Sequence, residues 1–326
     1  MGASPLMSIG LRAMNASYAA LQTAGHNIAN ANTAGYSRQQ VELATAKGQF
    51  TGAGFFGKGV DVQTVTRSHN EFLTRQAAVA ASFSSFDTAR LARLQQLEPV
   101  FATGEQGLGY ATGQFMSALT DLANQPADSA TRQVVLARAS DLAGRFASAD
   151  AQFDTIQRGV TEDLKTAVES VNGIAKSLAE INDQIAAARG LGQPPNDLLD
   201  QRDRLVAKLS EQVQVSTLVA EDGTMAVFVG GGQRLVLGTE ASQLRVVHDP
   251  DDPSRSAVAL ADGSSERPLD EATIGGGAIA GLLHFQNIDL VDARNLVGQL
   301  ASGVAGAVNR QQTLGANLLP PAGSVP

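Results

Sequence analysis

Between Ser129 and Arg189 the sequence contains no proline and keeps a helical period throughout. Apolar residues fall at Leu142, Phe146, Ala149, Phe153, Ile156 and Val160, alternating steps of four and three. That spacing is the seam of a helix packed lengthwise on another helix. One extra step of four carries the stripe to Leu164, and it resumes through Val171, Ile174, Leu178, Ile181 and Ile185. Such a stutter relaxes left-handed supercoiling locally and leaves the helix intact, so one continuous helix is predicted. A pattern this long exceeds what a compact globular domain uses, and predicts an elongated antiparallel helical bundle.

The flanking segments supply partners. From Arg67 the spacing of Phe72, Val79, Phe83, Phe86, Leu94 and Leu97 predicts a helix that buries this face and ends at Pro99. A shorter helix reaches Asn124 with Phe115, Leu119 and Leu122 inward, closed by Pro126. After a turn over residues 192–195, a helix capped by Asn196 or Asp197 is expected to bury Leu198, Leu199, the stem of Arg202, Leu205, Val206 and Leu209. Residues 279–311 restore a helix, with Leu283, Leu290, Val297, Leu300 and Val304 on one stripe.

Residues 213–269 switch to strand signals. Val215, Thr217 and Val219 alternate into the turn pair Asp222-Gly223, and Met225, Val227 and Val229 return. Further short strands are predicted over 234–237, 244–247 and 257–260. The fold class is therefore mainly α with an inserted small antiparallel β domain. The expected segments are 1–66 (N-terminal assembly helix and glycine-rich β extension), 67–212 (bundle), 213–272 (β domain), 273–316 (returning helix) and 317–326 (a tail expected to fray).

At the N-terminus a second seam runs through Met7, Leu11, Met14, Tyr18, Leu21 and Ile28, with Gly25 filling the remaining place. The residues between are mostly Ala, Ser, Asn and Gln. The helix thus has one narrow apolar stripe, needs a partner, and is expected to be marginal in water by itself. The pattern stops at Asn30-Ala31-Asn32-Thr33-Ala34-Gly35, where Asn and Gly are expected to take left-handed backbone and turn the chain.

The run Asn27-Ile28-Ala29-Asn30-x-Asn32-Thr33-x-Gly35-Tyr36 resembles the N-terminal signature of bacterial flagellar axial proteins, that is, rod, hook and hook-associated proteins. His26 stands where that family usually has Asn, and Ala34 where Pro is common. Tyr36-Ser37-Arg38-Gln39, Asn182-Asp183-Gln184-Ile185, Leu198-Leu199-Asp200-Gln201-Arg202-Asp203-x-Leu205-Val206 and Asp252-Pro253-Ser254-Arg255 are similar to the hook-associated protein 1 family, the adaptors between hook and filament.

The resemblance implies a structural subunit assembled helically through the seam Met7, Leu11, Met14, Tyr18, Leu21 and Ile28, with Asn27, Asn30, Asn32, Gly35 and Tyr36 as the signature turn. It implies self-association in the axial structure, with hook protein and the next hook-associated protein as neighbours. It also implies secretion, uncleaved, through the flagellar type III export apparatus to the hook-filament junction. Family members continue into a further C-terminal heptad helix, so a C-terminally truncated form is expected. The alternatives are another axial component, a hook or rod protein, or a secreted adhesion module using the β domain.

Composition excludes other classes. A net charge of -8 and a pI near 5.0 leave no basic field for nucleic acid. There is no cysteine, hence no disulfide, thiolate metal site or cysteine nucleophile. No apolar run is long enough to insert in a membrane, and the N-terminus lacks the apolar core of a cleaved signal peptide. Gly52-Ala53-Gly54-Phe55-Phe56-Gly57 followed by Lys58 mimics a phosphate loop. Gly59 supplies no hydroxyl for magnesium, however, and the following residues alternate as a strand rather than opening a helix. The segment reads as a loop between strands at 40–43 and 60–65, and no nucleotide is expected.

Asp197, Asp200 and Asp203 read as a solvated face, with Arg202 and Arg204 among them and no His joining them. The turn at 249–253 lacks the glycine and distal Glu of a calcium loop. His26, His69, His248 and His284 show no metal-ligand spacing, and GxSxG and HExxH are absent. No catalytic residue, cofactor or metal is expected, and the chain is read as a non-enzyme.

Overall fold

The computed structural model describes residues 3–52, 54–190, 193–262 and 265–315. They form two compact units. The first comprises Met1–Thr88, Lys165–Val247 and Ala257–Gly281; the second comprises Ala89–Leu164, His248–Ser256 and Leu282–Pro326. The fold is mainly helical with small antiparallel sheets, as the periodicities require.

In chain order the elements begin with α1 (Ala3–Ala29), β1 (Gln39–Thr45), β2 (Gln49–Thr51), β3 (Gly54–Phe56) and β4 (Val60–Arg67). The helices α2 (Glu71–Leu94), α3 (Leu108–Asn124), α4 (Ser129–Arg189) and α5 (Asn196–Gln212) follow. The 61-residue α4 is unbroken through its stutter. Its N-terminus is capped by Asp128, whose carboxylate accepts the N–H groups of Ala130 and Thr131. Leu142, Ala149, Phe153, Ile156, Val160, Leu164, Val171, Leu178, Ile181 and Ile185 are all buried. The extra step therefore keeps the stripe pointing inward from Leu142 to Ile185.

In the second unit, Ala111 and Phe115 of α3 pack on Leu142 of α4, joined by Val304 and Val308 of a C-terminal helix, α8 (Leu290–Thr313). This helix runs antiparallel to α4. Near its start Arg294 pairs with Asp154 and lies over the Phe153 ring, whereas its last turns reach Leu142. It is preceded by α6 (Glu271–Ile274), α7 (Gly277–His284) and one π-helical turn, Phe285–Asp289. The widened turn carries buried Gln286, whose side chain accepts the N–H of Ser256 and donates to its carbonyl.

In the first unit, Ile181 and Ile185 of α4 pack on Leu199 of α5. The strands β5 (Val215–Val219), β6 (Met225–Val229), β7 (Gln233–Leu237) and β8 (Glu240–Ala241) form a four-stranded antiparallel meander. A three-stranded sheet follows, ordered β11 (Ser265–Leu269), β10 (Ser256–Asp262), β9 (Gln243–His248). Two asparagines of α4 hold these sheets. Asn182 exchanges hydrogen bonds with both backbone groups of Met225, and Asn172 does the same with Leu244.

Several expectations are corrected. The stripe predicted to bury α2 splits: Phe72, Val79 and Phe83 are exposed, Phe86 and Leu94 are half-buried and Leu97 is buried, while Ser82 and Arg93 are also buried. The reason is close approach. A Cβ on Gly281 of α7 would lie 2.3 Å from the Phe86 carbonyl oxygen, so small residues of α2 face inward in the first unit. Neither Asn196 nor Asp197 caps α5; the preceding residue is Pro195, and the Asn196 amide donates to the Val65 carbonyl instead. The glycine-rich loop is a hairpin, with Phe50 opposite Phe55 in β2 and β3. The strands β8 and β11 escaped the sequence pattern because they are short or interrupted by proline. Ala53, Gly192 of the predicted turn and the predicted fraying tail, 317–326, lie outside the described residues.

This split makes a contrast measurable. Leu178→Ala, at a fully buried site, should lower stability by about 2–5 kcal/mol. Phe83→Ala, at a residue 51% exposed, should stay within about 1 kcal/mol of wild type in the same urea titration followed by circular dichroism. Equal losses would mean that the expected stripe of α2 is the one that packs.

Candidate functional site

Every seam residue of α1 faces outward. Met7, Leu11, Met14, Tyr18, Leu21 and Ile28 are between 55% and 78% exposed. The helix is nevertheless not isolated, which corrects the expectation that it has nothing else with which to pack. Ile9, Arg12, Ala16, Ala19, Thr23, Asn27 and Asn30 form a second row, shifted by two residues from the seam. At about 100° per residue, that shift carries the row to the opposite side of the helix. This side is covered: Ala16 is buried, Ile9 lies against Gly59, and Arg12 pairs with Asp61 of β4. The support beneath it is the antiparallel ribbon of β1 and β4.

The signature turn locks α1 onto that ribbon. Asn27 Oδ1 accepts the Gln39 N–H and the Tyr36 hydroxyl, both at 2.8 Å, and Asn27 Nδ2 donates to the Gln39 carbonyl at 2.8 Å. The one hydroxyl proton of Tyr36 is spent on Asn27, so His26, 3.1 Å away, must donate from Nδ1 to the phenol oxygen. Asn30 returns its amide to the His26 carbonyl and accepts from Thr33. Asn32 is exposed. No non-glycine residue among those described has a positive φ, so Asn30 and Asn32 act without left-handed backbone; in this turn only Gly35 adopts it, at φ 72°. A Cβ there would also strike the Arg204 side chain at 2.4 Å.

Arg204 leads to the part of the site that the sequence reading misjudged. Asp200, expected on a solvated face, is only 2% exposed. Its carboxylate accepts the Ser37 N–H at 2.9 Å and the Arg67 guanidinium at 2.9 Å, and Arg67 also reaches Asp203 at 2.6 Å. Asp197 accepts from the Gln39 side chain, and Arg204 donates to the Ala34 carbonyl. The aspartates repeated every three residues along α5 thus serve as the receptor for the signature turn and the end of β4. A signal was available in the sequence: Asp200 directly follows two leucines assigned to the buried face. Buried Arg202 donates to the Gly223 carbonyl, and desolvation lowers its pKa, with Arg67 and Arg189 adding to the effect against Asp203. Among the described residues no group of three or more His, Asp or Glu converges to hold a metal.

Residues 94–324 match a family described as the flagellar hook-associated protein FlgK helical domain. The chain is 35% identical to flagellar hook-associated protein 1 of Escherichia coli K12 over 315 residues, 96% of this chain and 58% of that protein. It is 30% identical to the Bacillus subtilis protein of the same description over 275 residues, 77% of this chain and 54% of that one. A solved structure, the flagellar hook junction protein FlgK from Burkholderia pseudomallei, aligns with TM-score 0.58 at 30% identity, covering 66% of this chain and 38% of that one. The chain therefore spans little more than half the length of the curated relatives it matches.

Two outcomes test the anchor. Asp200→Ala leaves the Ser37 N–H without its acceptor and Arg67 with Asp203 as its one remaining carboxylate, and should destabilise the first unit by about 1–3 kcal/mol in denaturant titration. The Tyr36 phenol is raised above its ordinary value of 10.0, by desolvation first and then by the charges of Asp197 and Asp200. A raised pKa adds stability that is fully present below pH 10.0 and is lost as pH climbs through the folded-state value. Tyr36→Phe should therefore flatten the alkaline limb of the stability-pH curve, read by thermal melts across that range.

Proposed function

Because the chain belongs to the family of the flagellar hook-associated protein FlgK, we propose that it is a structural subunit of the bacterial flagellum, an adaptor between hook and filament. In this reading it leaves the cell through the flagellar export apparatus and takes its place at the hook-filament junction. There it self-associates along the axis, with hook protein on one side and the next hook-associated protein on the other. Its work is mechanical joining rather than catalysis.

The observation that carries the proposal is the division of α1 into two faces. One face is fixed to its own subunit by Ala16, Arg12 and Asn27, and the other offers six large apolar side chains to solvent. Burying a Leu side chain is worth about 1.5–3 kcal/mol, and a helical assembly collects that gain at every subunit. The signature turn and the Asp200 anchor hold the helix in place against its ribbon, so less order has to be imposed when subunits meet.

Leu21→Asp, introduced into the flagellar copy carried by the cell, should abolish incorporation and motility, since a carboxylate in the seam adds a desolvation cost to the lost burial. Leu21 is 72% exposed, so the purified variant should keep its helical content and melt within about 1 kcal/mol of wild type. Normal flagella in the variant would reject the seam as the axial contact.

A further inference from the structure

The hairpin that replaces the expected glycine-rich loop exposes an aromatic tip. Phe50 and Phe55 stand directly opposite each other and are 74% and 73% exposed, and Phe56 is exposed beside them. The Phe55 ring is braced from within the hairpin: it covers Gly48, where a Cβ would lie 2.3 Å from it. Lys47 and Lys58 bracket the hairpin. Residues 1–66 carry Arg12, Arg38, Lys47 and Lys58 against Glu42 and Asp61, a net +2 in a chain of net -8. The remainder therefore holds -10, an asymmetry between the segment bearing the hairpin and the rest.

The second unit contains a cleft of matching character. It encloses about 550 Å³, within the range of cavities that hold ligand groups. Its walls include Phe101, Leu108, Tyr110, Leu296 and Leu300. The sequence around it is acidic. Glu98 opens the 3-10 turn that runs into the cleft, Glu105 lies in the next turn, and Asp292 precedes Leu296 by one turn of α8. The Arg145 guanidinium nearby is already engaged by Asp141 and by the carbonyls of Glu105 and Gly107.

We propose that the Phe50/Phe55 hairpin of one copy docks into the Phe101/Tyr110/Leu296 cleft of a second copy, with Lys47 and Lys58 meeting Glu98, Glu105 and Asp292, exposed acids that border the lining residues in sequence. The two surfaces are different patches, so the contact is heterologous and propagates from copy to copy rather than closing a dimer. Aromatic anchors entering a pocket carry most of the affinity of such contacts, and opposite charge sets register and encounter rate. The contact deepens the assembly reading above by adding a lateral grip, and it does not require the α1 seam.

The test is photocrosslinking with p-benzoylphenylalanine at position 55 of the whole chain, with sedimentation velocity in parallel. The expected result is crosslinked pairs whose adducts map to residues 98–110 or 292–300. Phe50→Ser with Phe55→Ser should weaken self-association by about tenfold or more. Lys47→Glu with Lys58→Glu should weaken it too, and mixing with chains carrying Glu98→Lys and Glu105→Lys should restore it. The crosslink should persist in Leu21→Asp. If Leu21→Asp chains assemble normally while the hairpin variants do not, the seam reading fails and the hairpin contact stands. A chain that yields no crosslinked pairs at any concentration overturns the proposal. So do adducts mapping elsewhere, or a tip that partitions into anionic vesicles as a monomer.

Discussion

The Asp200 carboxylate is the point on which the first unit turns. It is nearly inaccessible to water, and it holds the backbone just after the signature turn together with the guanidinium at the end of β4. Removing two charges from water is costly, and such a pair is a weak source of net stability. Its effect is selective: any arrangement of α1, the ribbon and α5 that separates Arg67 from Asp200 leaves an uncompensated charge behind. The network therefore discriminates against wrong placements of the N-terminal helix more than it strengthens the right one.

That selectivity matters because α1 reverses the usual assignment of faces. An ordinary amphipathic helix turns its apolar stripe inward. Here the inward row is Ile9 followed by Arg, Ala, Thr and Asn, and the longer apolar stripe is outside. Hydrophobic burial alone would flip the helix over. Hydrogen bonds from Asn27, the Arg12–Asp61 pair and the lack of a Cβ at Gly59 and Gly35 oppose that flip.

How much was legible followed from which force shapes each element. The helix α4, its stutter, the α5 face and the meander of β5 to β7 follow hydrophobic period, and they are where the periods put them. Period failed at α2, because Gly281 lets backbones approach and the small residues win the interior over Phe72 and Phe83. It also failed at Asp200, since residue type predicts exposure for a carboxylate, and only the distant Arg67 and Ser37 overrule that prediction. The turn was found from residue identity, but the mechanism differed: side-chain hydrogen bonding at Asn27 and Asn30, with left-handed backbone reserved for Gly35. The aromatic hairpin was hidden because each of its strands has only three residues, too few to show alternation.

The paired amides on α4 have a consequence for how sequences of this kind diverge. Asn172 grips the start of β9 and Asn182 the start of β6, each through both backbone groups of a single strand residue. Ten residues of helix set their separation at about 15 Å. The helix is thus a ruler with two fixed marks. Adding or deleting one residue between the marks swings one amide by about 100° and shifts it by about 1.5 Å, so that it no longer meets its strand. By this geometry an added residue is accommodated in the exposed turns between strands, whereas the ten-residue span of α4 accepts substitution but not resizing.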